Sequence, residues 1–218
     1  RWYEVTGVQT CALPILHTQR ALENFPSSNL PKYFYFYKAL AQVKLAAAQT
    51  NLELKYLDSE IGNAVIKTCQ EMINGKHFEF FMIDALQGGA GTSTNMNINE
   101  IIANRAGQLL KKELGSYYVD PFNHVNLHQS TNDVYPTALK IAIYYYLQDL
   151  EQSINELLIA VQKKEQQFAN IIKLGRTELQ PAIPTTLGKT FSAYAEILGR
   201  DRWRIFKAQE RIRQINIG

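Results

Sequence analysis

From Thr137 to Ile172 the chain contains neither proline nor glycine, and its apolar residues keep a strict beat. They fall at Ile143, Leu147, Leu150, Ile154, Leu157, Val161, Phe168 and Ile171, in steps of four and three, with Lys164 the one interruption. That is a heptad seam about 35 residues long, where a globular helix usually runs ~10–14 residues. At the rise of an α-helix it covers roughly 50 Å, too long for a compact monomeric domain. A second pattern runs from Leu187 through Phe191, Tyr194, Leu198 and Phe206 to Ile215. With a loop over 173–186 between them, the two patterns predict an antiparallel pair inside an elongated bundle. Tyr144, Tyr145 and Tyr146, together with Ala138, Ala142 and Ala160, predict more than one buried face on the first helix. A helix covered on several sides belongs at the centre of an oligomer. A structural coiled coil is the simpler alternative.

The rest of the chain is also helical in period. Tyr33 to Leu54 carries Leu40, Val43, Leu45 and three consecutive alanines, which favours a well-packed helix. Asp58 is a candidate N-cap, followed by Ile61, Val65, Ile66, Cys69 and Met72 on one side, with a stop at Gly75-Lys76. Strand-type alternation is nearly absent. The fold expected is therefore all-α: an elongated long-helix bundle with a smaller helical N-terminal domain. Residues 17–130 form that N-terminal domain and 131–218 the first part of the bundle. Residues 1–16 have no helical period and read as a non-native leader, outside the fold argument.

Composition narrows the function classes. With 46% apolar and 20% charged residues the chain is of ordinary globular type. A net charge of +3 is too weak a field for a nucleic-acid binder. No apolar run approaches the ~20 residues of a membrane span. Cys11 and Cys69 stand without CxxC or His-rich company, so no metal site is expected and a reduced, cytoplasmic setting is the economical reading.

Three polar segments interrupt the helices: Gly88 to Asn95, His128 to Asp133, and Gly175 to Gln180. Each is rich in hydroxyl and amide side chains, and each precedes a helix. A helix N-terminus presents unpaired N–H groups and partial positive charge. Ser, Thr and Asn added there make a neutral, donor-rich cradle for an anion such as a carboxylate. Pro136 is expected in the first helical turn, where a missing N–H costs nothing. The glycine-rich segment lacks the Lys of a phosphate-binding loop and fits neither nucleotide motif. Simple N-capping is the alternative for any one of the three.

The same residues carry a resemblance. GGAGTSTNMNINEIIANRA, HVNLHQSTNDVYPTALKIA and GRTELQPAIPTTLGKTFSAYA resemble the three signature regions of the aspartase/fumarase superfamily, in order and at similar separations. The likeness extends upstream to TQRALENFP near Thr18. It implies a homotetramer built round long helices, with active sites shared between subunits, a small dicarboxylate substrate and no organic cofactor. By position, Thr92, Ser130, Thr131, Asn132 and Thr177 match the family's dicarboxylate-binding residues, while Asp133 caps or orients. His124 lies near the family's second dicarboxylate site. It and His128 read as surface histidines of a polar loop.

Two departures shape the expectation. Glu178 stands where family hydratases carry His and some ammonia-lyases carry Gln, so it is a candidate catalytic or supporting residue. Facing the substrate, its charge would repel a carboxylate and favour an ammonium group, which tilts the expected reaction toward elimination of ammonia from aspartate. Fumarate hydration and a non-catalytic helical scaffold are the alternatives. The family's mobile serine loop, which supplies the catalytic base, matches nothing in these residues. The chain is therefore expected to be a fragment, inactive by itself and poorly soluble.

Overall fold

A computed structural model describes residues 16–25, 28–86 and 89–217. The leader read at residues 1–16, apart from the Leu16 backbone, and Gly88 of the first polar segment lie outside the described residues. Helices dominate, as the periodicities predict. They are α1 (Leu16–Asn24), α2 (Phe34–Glu53), α3 (Ser59–Ile73), α4 (Thr92–Leu109), α5 (Thr131–Gln167) and α6 (Leu187–Arg211). A 3-10 turn (Phe78–Phe80) and a π turn (Pro121–Val125) join them, and a hairpin of β1 (Ile172–Thr177) and β2 (Gln180–Thr186) separates α5 from α6. The described residues pack as two compact units, one within 16–143 together with 215–217 and the other 144–214.

In the first unit one apolar core joins α2, α3, α4 and the start of α5. Tyr37, Leu40 and Val43 meet Val65, Cys69 and Met72, with Ile98, Ile101, Ile102, Val134 and Ala138 completing the cluster. Asp58 caps α3 as its position predicts, accepting hydrogen bonds from the backbone N–H groups of Glu60 and Ile61. The helix buried round its whole circumference is α4, where every residue from Thr94 to Ala103 is inside. Three of these are asparagines, weak helix formers that only tertiary contacts can hold there. Glu100, also buried, accepts from the backbone N–H groups of His17 and Thr18 and from the Thr18 hydroxyl, so α4 anchors the start of α1. On α5, by contrast, burial in the single chain is confined to Val134, Thr137, Ala138 and Ala142.

The second unit pairs α5 and α6 antiparallel. The Arg213 guanidinium donates to the Tyr144 hydroxyl, Gln209 donates to Glu151, and the Phe168 and Phe191 rings meet 5.4 Å apart. Gly188 permits the close crossing at the α6 start. A Cβ there would lie 2.7 Å from Ala169 Cα and 2.8 Å from the Glu165 carbonyl oxygen.

The segment expected as a plain loop over 173–186 is an antiparallel hairpin, with Thr177 paired to Gln180 and a register shift between Leu174 and Arg176. Its tip residues Glu178 and Leu179 have φ of 49° and 65°. Positive φ at both central residues is the geometry of a two-residue hairpin turn that matches the strand twist. Asn-Gly normally signals it, so Glu-Leu hid the hairpin.

Candidate carboxylate site

The structure builds the second polar segment as a helix start with a reciprocal cap. The Ser130 hydroxyl oxygen accepts from the Asn132 N–H at 3.1 Å, and the Asp133 carboxylate accepts from the Ser130 N–H at 3.0 Å. This is the capping-box arrangement with Asp in place of Glu. Asp133 therefore orients, as its sequence position predicts. Pro136 sits one turn deeper than expected, as the sixth residue of α5. There its missing N–H removes the bond to the Asn132 carbonyl, a cost that the first turn would have avoided.

The first segment behaves similarly. Thr92 opens α4, and its hydroxyl donates to the Gly89 carbonyl at 2.8 Å. The helix begins inside the polar run, so Thr94 and Asn95 are helical and buried rather than part of a loop. Gly91 makes this packing possible. Its φ is +86°, and a Cβ there would stand 2.2 Å from the Tyr135 ring. The starts of α4 and α5 thus abut, and the Asn95 amide donates to the Thr131 hydroxyl oxygen at 3.0 Å.

Hydroxyl polarity is the chemical consequence. Ser130 and Thr131 each accept a protein hydrogen bond through oxygen. A hydroxyl that accepts still has its own hydrogen to give, so both can donate outward to an anion. Asn132 and Ser130 are exposed and Thr131 is half-buried, so a solute can reach them. Thr177 and Glu178 belong to the second unit, exposed at the hairpin tip. The third segment is therefore no helix-end cradle. The residue that caps α6 is Thr186, whose hydroxyl accepts from the Lys189 N–H.

Beneath the Ser130 segment lies a polar node that the motif reading does not include. Lys44, on α2, is 1% exposed and donates at 2.9 Å to both the Asn126 and the Gln129 side-chain oxygens. The same Asn126 oxygen accepts from Asn95 and Asn99, each at 3.1 Å. Burial lowers the Lys44 ammonium from its usual range to about 7. The sequence did carry a signal: Lys44 stands between Leu40 and Ala48 on the inward stripe of α2, where a surface lysine does not belong.

His124 is half-buried, and its Nδ1 accepts from the Asp120 N–H at 2.8 Å. His128 is exposed, bonded to Asn51 and edge-on to Tyr56. A cavity of about 260 Å³ beside it is lined by Val43, Thr50, Asn51, Gln129 and Asp133, and takes in none of Ser130, Thr131 or Asn132. Among the described residues no group of three or more His, Cys, Asp or Glu side chains is placed to hold a metal ion, and no helix is long and apolar enough to cross a membrane.

Comparison with known proteins fits this architecture. A family model described as "Lyase" matches residues 7–218. Aspartate ammonia-lyase of Helicobacter pylori strain J99 is 45% identical over 206 residues, 93% of this chain and 44% of that protein. Among solved structures, a fumarate lyase:delta crystallin of Brucella melitensis has a TM-score of 0.92 at 41% identity, covering 94% of this chain and 49% of the other. The class II fumarase of Schistosoma mansoni has a TM-score of 0.89 at 33% identity, over 94% of this chain and 44% of that one. The predominantly helical fold and the lyase match together define the class, and the chain belongs to the lyase family of the aspartase/fumarase superfamily. It spans less than half the length of the curated relatives that it matches.

Proposed function

We propose that the complete protein containing this chain is an aspartate ammonia-lyase, which eliminates ammonia from L-aspartate to leave fumarate. The observation that carries this reading is the polarity of the Ser130 and Thr131 hydroxyls, which accept from the protein and keep their hydrogens for a guest anion. Removing the Cβ proton of aspartate places charge on the adjacent carboxylate, giving an aci-carboxylate. Ser130, Thr131 and Asn132 supply donors for that charge, with Thr92 and Thr177 as further substrate-binding residues. Fixed neutral donors serve this role without reorganising as charge develops, and removal of one such donor costs roughly 10²–10³ in rate. The Thr92 hydroxyl joins them by turning from the Gly89 carbonyl.

Glu178 supports aspartate over malate as substrate. An exposed carboxylate at the hairpin tip attracts an ammonium group through charge as well as a hydrogen bond, where a hydroxyl gains the hydrogen bond alone. The relatives named aspartate ammonia-lyase, at 41–45% identity, point the same way. The reaction requires no organic cofactor. The protein assembles as a homotetramer whose sites combine residues from several subunits. A second reading, fumarate hydratase, draws on the likeness to the Schistosoma fumarase and uses the same carboxylate donors.

Succinate binding by the complete protein tests the proposal. Thr131→Val keeps shape and removes the hydroxyl, so succinate affinity measured by calorimetry is expected to fall at least tenfold. Equal affinity in the variant would remove Thr131 from the site.

A further inference from the structure

We infer that Lys44 is a positioning residue for the carboxylate site, holding the Ser130–Asn132 donors in place through Asn126 and Gln129. The inference rests on the functional reading above, and its structural half stands apart from it.

Lys44 has no carboxylate partner among the described residues, and its two hydrogen bonds go to neutral amide oxygens. Both amides belong to the segment that leads into α5. Asn126 in turn donates to the Gln129 carbonyl at 2.9 Å, and Gln129 donates to the Val125 and Leu127 carbonyls at 2.9 and 3.2 Å. One amine therefore closes a bonded frame round 125–129, one residue short of Ser130. Asn95 links the frame to the site itself, giving one amide to both the Asn126 and the Thr131 oxygens.

The arrangement is a poor one for stability. Burying an amine without an opposite charge is costly, and a methionine of similar shape avoids that cost. The Asn95 and Asn99 side-chain oxygens beside the node are also buried without a hydrogen-bond partner among the described residues. Each such group forgoes its hydration. Polar cost concentrated directly beneath one helix start is the pattern of a segment held for function.

Stability and function therefore separate under substitution. In Lys44→Met, Asn126 keeps its Asn95 and Asn99 donors, while the Gln129 side-chain oxygen loses its one donor among the described residues. Hydrogen exchange and kinetics on the complete protein supply the test. The inference expects a melting temperature at or above wild type. It expects at least tenfold faster amide exchange over 126–133, with α3 unchanged. It also expects kcat/KM for L-aspartate to fall at least tenfold, mostly in kcat. Exchange over 126–133 within twofold of wild type would overturn it, as would protection lost equally in α3. Should Lys44→Met not fold, Gln129→Leu removes one acceptor and is expected to give the same local pattern; unchanged exchange there overturns the inference. A wild-type protein that forms no fumarate from aspartate or malate refutes the functional reading alone, and the exchange results then decide the role of Lys44.

Discussion

At the scale of single residues, the donors and the one charged group of the proposed site make separable demands. Ser130 and Thr131 present hydrogens because each oxygen is already engaged by the protein. Glu178 sits exposed at a hairpin tip, in a backbone conformation disfavoured for a residue with a side chain. If its charge recruits the substrate ammonium, Glu178→Gln will raise the Michaelis constant for L-aspartate several-fold and will strengthen succinate inhibition, since the repulsion between carboxylates goes with the charge. Steady-state kinetics on the complete protein decide this, and an unaltered constant would end the charge argument. The helix start at Ser130, Thr131 and Asn132 was legible in the sequence because hydroxyl and amide residues before a proline-marked helix have a known physical use. Lys44 was not, since lysine reads as surface unless its place on an apolar stripe is weighed first. Gln129 lay inside the second polar segment with no role of its own, and Asn126, just before it, carried no signal. Their role depends on where α2 and α4 pack.

At the scale of elements, ties between helices set what holds the first unit together. Glu71 on α3 accepts from the Arg105 guanidinium of α4 at 2.8 and 3.1 Å and bonds His77 at 2.9 Å. Hydrogen bonding from Arg105, its largest cause, lowers the Glu71 carboxyl from 4.5 to about 2, with His77 adding to it and burial opposing. A depressed folded-state value means stability fully present above the unfolded value and lost as pH falls through the folded one. The Glu71→Gln variant should therefore be less stable than wild type at neutral pH, with the gap closing between pH 4.5 and about 2. Urea unfolding across that range measures it; a gap independent of pH would contradict the account. Helices of this kind were readable from period and caps alone, as Asp58 and the heptad seam show. The hairpin was not, because its turn uses Glu178 and Leu179 in place of glycine. The start of α4 was placed late because Ser, Thr and Asn suggest a loop, whereas Thr94 and Asn95 are held in helix by burial and by the Asn126 and Thr131 contacts.

At the scale of the whole molecule, the second unit leaves Leu150, Leu157, Ile159, Ile197, Trp203 and Phe206 exposed. Large apolar side chains gathered on two paired helices favour association. The proposed homotetramer covers them, so Leu157→Lys should weaken assembly of the complete protein. Sedimentation equilibrium will show a shift toward smaller species, and an unchanged tetramer would place Leu157 outside the interface.

The measurement closest to the central claim is fumarate formation by the complete protein, supplied first with L-aspartate and separately with L-malate. The account predicts rapid fumarate release from aspartate and little from malate. Faster release from malate would make the protein a hydratase. Release from neither would reduce the Ser130–Asn132 donors to helix caps.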